Sequence, residues 1–242
     1  MAVVARVRRP LDDVSLAWAA PSPRRPPLDR EQLIQAALAL LDAVGFDGLT
    51  MRRLAERLGV QAASLYNHVR DKQQLLTLLA DAICRDVPSL QPARPWREQL
   101  EQAARDLRRV LLAHRDAARV LMATPPVGPN RLRTIEQVLA VLRAAGFVDR
   151  NVADAGWVLN SYVTGFVFDE QVQATPAAPE TRAQIEQLFR SLPAERYPTL
   201  AALAGALTDP DLSQRFEYGL ELMLDGLEAR RPGRSPRRRA HP

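Results

Sequence analysis

The chain has 242 residues, of which 47% are hydrophobic, 25% charged and only 5% aromatic, with a formal net charge of +5. That balance is globular and soluble, not disordered, and the Leu-, Ala- and Val-rich apolar set with few glycines favours an all-α fold over a β fold. The single Cys84 excludes an intrachain disulfide framework and any Cys-rich zinc or iron–sulfur site, and no apolar run approaches the roughly 20 residues that span a bilayer.

Residues 1–27 contain five Arg against two Asp and end in PSPRRPP, a composition expected to give a disordered basic arm. The start of the chain lacks the long apolar stretch of a secretory signal, so a cytoplasmic protein is expected. Residues 28–87 form a block without proline, read as one small helical domain. In it Asp29 and Gln32 make a capping-box start, and Leu33, Ile34, Ala37, Leu38, Leu41 and Val44 share one helical face that Gly45 ends. Thr50 caps a second helix to Leu58, Gly59 supplies a turn, and a third helix is expected from about Gln61 to Val69. Asp71 and Gln74 open a fourth, reaching roughly Val87. Two short helices broken at a glycine, with small Ala55 at the crossing and Val60 and Leu65 filling the angle, describe a helix-turn-helix. That pattern alone is shared by small bundles that never touch DNA.

Residues 88–230 read as a helical regulatory and dimerisation domain of about six helices. Trp96–His114 is amphipathic, Arg131–Ala145 stops at Gly146, Asp149 opens a long helix, and Thr181–Leu192 is shorter. Asp209-Pro210 supplies an N-cap and first-turn proline for the last helix, which places Phe216, Leu220, Met223, Leu224 and Leu227 on one stripe. Residues 231–242 are a basic tail expected to be disordered. The basic tails leave a body with 22 bases against 26 acids. Position makes the first arm a candidate for contact with flanking phosphates, since it leads straight into the helix-turn-helix.

The continuous string ALALLDAVGFDGLT, RRLAERLGV and SLYNHVRDKQQLL resembles the DNA-binding domain of the tetracycline-repressor (TetR) family, over residues 28–80. LLAHRDAARVLMATPP, LRAAGF and FEYGLELMLDGLE extend the resemblance into the regulatory domain. It implies a homodimeric transcriptional repressor that binds a palindromic double-stranded operator and releases it when a small molecule binds. It assigns operator contact to Thr50, Arg52, Ala62, Ala63, Ser64, Tyr66, His68 and Lys72. The small residues suit a helix set deep in the major groove, and Ser64, Tyr66 and Lys72 suit phosphates. Ala62-Ala63 replaces the Gln-Pro of the tetracycline repressors, which removes a base-reading amide and implies a different operator.

The resemblance also implies an effector cavity touching Leu107, Leu121, Thr124, Gln137, Asn160, Asp169 and Leu188. Ser161 and Thr164 are further polar groups on its long helix. Leu121 stands where the tetracycline repressors place a metal-binding His, and Pro88 where they place another. A magnesium–tetracycline chelate is therefore not expected; a more apolar effector is. The helix near 150–170 and the last helix are implied to form a four-helix dimer interface. An activator of the same fold, or a regulator controlled by a protein partner, fits the same residues. Catalysis is not expected: no GxSxG, HExxH, Walker or GxGxxG string occurs, the three His lie far apart, and nothing calls for a cofactor. Cys84 is expected to be buried filler.

Overall fold

The computed structural model describes residues 28–174 and 178–231, so the basic arm and the tail beyond Arg231 lie outside the described residues. The described residues are helical, with no strand. The first helix, α1 (Arg30–Gly48), opens on the expected reciprocal capping box. Asp29 accepts the Gln32 N–H and Gln32 accepts back from the Asp29 N–H. The helix does not stop at Gly45 but kinks there, at φ 73°, and continues for one turn to Gly48. α2 (Met51–Leu58) is capped by the Thr50 hydroxyl, worth about 1 kcal/mol, and ends on Gly59 in the left-handed region at φ 65°. Ala55 and Leu65 are buried at the crossing and Val60 packs half-buried beside them.

The third helix, α3 (Ala62–Leu65), is shorter than expected. Beyond Leu65 the chain continues through i→i+3 bonds, from Tyr66 to Ala63, Asn67 to Ser64 and His68 to Leu65, before Val69 returns to the core. No side chain caps its start, and the tighter geometry of its second half winds less regularly than an α-helix. α4 (Lys72–Arg85) starts on Asp71 and Gln74 as expected.

The regulatory half comprises α5 (Trp96–Leu112), α6 (Ala117–Met122), α7 (Pro129–Ala144), α8 (Asp149–Gln173), α9 (Ala178–Ser191), α10 (Pro198–Ala202), α11 (Ala204–Leu207) and α12 (Leu212–Ala229). α5 and α8 form its centre, with α7 and α12 against them, while α9 packs on α10 and α11. Asp209 does not cap the last helix. Its carboxylate accepts the Asp211 N–H in a local turn, and Asp211 is the cap, accepting from Gln214. α8 likewise starts at Asp149 with Val148, not an acid, at the cap position.

The two halves meet where the α1 kink docks on the α5–α6 turn. Asp42 accepts the Arg115 N–H at 3.0 Å and lies 3.3 Å from His114 Nδ1, while Asp116 accepts the Phe46 N–H at 2.7 Å. Asp116 is the one non-glycine residue at positive φ (57°) among the described residues. A Cβ on Gly45 would sit 2.7 Å from the Asp116 carboxylate, so this approach requires glycine on space as well as on φ. Arg119 closes the seam, pairing with both Asp47 oxygens at 2.7 and 2.8 Å and stacking over the Phe46 ring.

Candidate nucleic-acid interface and cavity

α3 and the turn after it present one polar, sterically open surface. Leu65 and Val69 hold it to the core, and Ala62, Ala63, Tyr66 and Asn67 face outward, with Ser64 and His68 half-buried. Tyr66 is 54% exposed, so its ring faces solvent instead of packing on α1, and its hydroxyl is free to donate. On α2 Arg52 points outward, held by an exposed i,i+4 pair with Glu56 that costs little to break. The Thr50 hydroxyl is engaged in accepting from Arg53 N–H. Lys72 turns inward more than the other basic groups: its ammonium donates to Phe46 C=O at 3.4 Å and lies 5.3 Å from that ring.

The regulatory half holds a cavity of about 610 Å³ between α5, α6, α7 and α8, with Cys84 of α4 also in its lining. That volume suits a drug-sized molecule. Its wall is mainly aliphatic. Leu107, Leu121, Thr124 and Asn160 line it as expected, together with Ser161 and Thr164. The Thr124 hydroxyl donates to Val120 C=O and the Thr164 hydroxyl to Asn160 C=O, so both are satisfied by their own helices. The Asn160 amide and the Ser161 hydroxyl make no hydrogen bond to the described residues and are free polar groups on that wall. Burial pushes the Cys84 thiol up to about 11, which keeps it protonated and unreactive.

Three expected residues are not brought to this cavity in the single chain. On α7 the lining side chains are Arg131, Thr134, Ile135, Val138 and Leu139, and Gln137 falls on the flank, about 60° around the helix from Thr134. Asp169 is exposed and turned roughly 140° away from the α8 residues that line the cavity, such as Thr164. Leu188 is 56% exposed on α9, away from the lining residues. Sequence reasoning missed Arg131, which is only 7% exposed, and Trp157, which lines the cavity while 72% exposed. Arg131 recurs at i, i+3, i+4 and i+7 with Thr134, Ile135 and Val138, a periodicity that places it inside.

One helix spans both regions. α4 begins directly after the recognition turn and its 14 residues, about 21 Å, carry the chain to the cavity wall at Cys84. It is tied to that wall in both directions. Asp81 of α4 accepts from Asn130 N–H, Asn130 Nδ2 and Arg131 N–H, capping the start of α7. Arg133 of α7 donates to the Cys84, Arg85 and Val87 carbonyls, capping the end of α4. Gln73 adds a bond from α4 to Ala123 C=O at the end of α6.

Residues 33–79 match the family of bacterial regulatory proteins of the tetR type, and residues 88–231 match the tetracyclin repressor-like C-terminal domain. The chain belongs to the TetR family. It is 38% identical to the class A tetracycline repressor from Escherichia coli, over 84% of this chain and 92% of that one. It is 33% identical to the transcriptional repressor DrrR1 of Streptomyces coeruleorubidus, over 87% and 82%. It superposes on Streptomyces coelicolor ActR in complex with actinorhodin with a TM-score of 0.79 at 38% identity, covering 86% of this chain and 99% of that one. These matches make it a ligand-responsive, DNA-binding transcriptional regulator. Leu121, which the resemblance sets in the place of a metal-binding His, is an aliphatic side chain only 2% exposed. Among the described residues no three His, Cys, Asp or Glu converge as a metal set, and no helix is long and apolar enough to cross a membrane.

Proposed function

We propose that two copies of the chain bind a palindromic operator as a repressor, and that a largely apolar small molecule entering the cavity releases it. The observation that carries this reading is α4, one continuous helix anchored beside α3 at one end and in the cavity wall at the other. An occupant that moves α7 or α6 must move α4 through Asp81, Arg133 and Gln73, and with it α3, which is joined to α4 by the recognition turn and through the packing of α4 on α1, α1 on α2 and α2 on α3. The effector then shifts the population toward dimers whose recognition surfaces no longer match successive major grooves.

In this reading residues 28–87 are the DNA-binding unit and 88–230 the regulatory and dimerisation unit. Arg52, Ala62, Ala63, Ser64, Tyr66, His68 and Lys72 meet DNA, with Thr50 holding α2 for them. Leu107, Leu121, Thr124 and Asn160 meet the effector from one protomer. Gln137, Asp169 and Leu188 touch it only if pairing or closure reorients them. The protein works in the cytoplasm, where its DNA is, and has no catalytic role. The ActR–actinorhodin complex suggests a polycyclic effector, and the aliphatic wall without a metal-binding His favours one that needs no metal.

Selection of bound fragments from random duplexes should yield a palindrome, and footprinting should find it beside the chain's own gene. Compounds that raise the melting temperature of the free protein should release that duplex. Enrichment of no palindrome, or stabilising compounds that leave the complex intact, would refute the reading.

A further inference from the structure

Arg131 is the residue the wall leaves electrically unfinished. Its side chain is buried, at 7% exposure, and it lines the cavity. Every other residue of that wall is uncharged, Cys84 included, since its thiol is held protonated. Among the described residues no carboxylate stands within ion-pairing distance of Arg131, whereas Arg105, Arg108 and Arg119 each hold one. Its partners are neutral oxygens: Nη1 donates to the Thr124 hydroxyl at 2.8 Å and to the Thr124 and Pro125 carbonyls, and Nη2 to Leu121 C=O at 2.8 Å. The Leu121 carbonyl is in the last turn of α6 and the other two follow that helix, and a helix C-terminus offers about half a negative charge at best. Asp81, the acid on the facing helix, takes its hydrogen bonds from the α7 N-terminus and not from the guanidinium, which it steadies only from a distance.

Two donors remain without a protein acceptor, Nε–H and one Nη2–H. The same two nitrogens of Arg108 grip the Glu170 carboxylate as a fork. A cation buried without a counter-charge in contact is expensive, and burial lowers the Arg131 guanidinium from its ordinary range although Asp81 pulls the other way from a distance. An anion arriving in the cavity removes that cost and supplies the fork its acceptor.

We propose that the cavity is built for a flat, largely apolar effector bearing one anionic group, a carboxylate, sulfonate or ionised phenol, and that Arg131 selects it. The proposal rests on the effector-cavity reading above and adds the chemical class. Pairing at Arg131 also gives the effector a handle on the protein. The guanidinium holds the end of α6, and its own backbone N–H is one of the bonds to Asp81 on α4.

The test uses two probes with one aromatic skeleton, anilinonaphthalene sulfonate and its uncharged parent phenylnaphthylamine, titrated by fluorescence against the intact dimer. Each should bind once per protomer and displace the other, with the sulfonate tighter by about 10- to 100-fold. In Arg131→Met the sulfonate should lose that advantage while the neutral probe stays within about twofold. Arg131→Lys, which keeps the charge but not the fork, should keep part of it. The comparison in the intact protein stands even if Arg131→Met fails to fold. Equal affinities there, a sulfonate preference that survives Arg131→Met, or bound sulfonate that the neutral probe cannot displace would overturn the proposal. In those cases tight binding of the neutral probe leaves the effector cavity standing; failure of both probes to bind overturns the cavity as well.

Discussion

Tyr66 carries its test in one atom. Its ring is exposed and its hydroxyl unengaged, so Tyr66→Phe removes a donor without disturbing the core. Folding stability should change by less than about 0.5 kcal/mol. Operator affinity should fall roughly tenfold, equally for every operator variant, because a phosphate contact positions without reading sequence. Fluorescence anisotropy with a panel of duplexes checks this, and an unchanged affinity would remove Tyr66 from the interface. Ala63 is the opposite case. Its methyl is exposed where the α3 surface is most open, so Ala63→Gln should leave stability alone and change which base is preferred at one position of each half-site, by about 1–3 kcal/mol. Fragment selection with that variant should return a different consensus. Lys72 was legible as a basic residue at a helix start, but not its seat on Phe46, because that contact crosses 26 residues of chain.

At the scale of elements, the α4–α7 tie is the connection most open to measurement. Asp81 satisfies two backbone N–H groups and the Asn130 amide, and a Cβ on Gly128 would come within 2.5 Å of it. Asp81→Ala strands those donors in a half-buried place and should cost about 2 kcal/mol in urea unfolding at unchanged m-value. Asp81→Asn should cost less, since it keeps one acceptor oxygen. A loss below about 0.5 kcal/mol for Asp81→Ala would show that water replaces the carboxylate there. The elements legible in the sequence were those whose ends are decided locally. Asp29, Thr50, Gly59 and Asp71 each act within four residues, and all four boundaries stand where the residues put them. The misread ends depend on competition or on distant partners. Asp209 and Asp211 both offer a cap two residues apart, and the nearer one wins. α1 continues past Gly45 because Asp116, 70 residues away, takes the Phe46 N–H. The cavity followed the same division: Leu107, Leu121 and Thr124 lie on apolar stripes, whereas Gln137 and Asp169 have cavity-like chemistry on the wrong side of their helices. Arg131 hid among 32 arginines in a chain with one lysine, where an individual Arg carries little information.

Across the whole molecule the question is which apolar surface a second copy covers. The expected stripe on α12 turns inward as a whole: Phe216, Leu220 and Leu224 are buried against α5 and α8 of the same chain and Met223 and Leu227 pack partly buried on that core, so the outward apolar residues lie off the stripe. What remains outward is Tyr218 and Leu222 on α12, at 64% and 55% exposure, with Trp157, Val158 and Val172 on α8. These are the two helices the resemblance implies as the dimer interface, so this exposed apolar face is the surface we propose for the partner. A charge should therefore act differently at two neighbouring positions. Leu220→Arg buries a cation in the core and should prevent folding, with a cost of at least about 4 kcal/mol. Leu222→Arg leaves that core intact, so circular dichroism should remain helical while sedimentation shows a monomer. That monomer presents one recognition surface to one half-site and forfeits the gain from joining two, so operator affinity should drop by at least about 100-fold. A helical Leu222→Arg protein that still sediments as a dimer would move the interface to another face of the bundle, and a monomer that binds the full operator undiminished would show that pairing is not what places two recognition surfaces on the DNA.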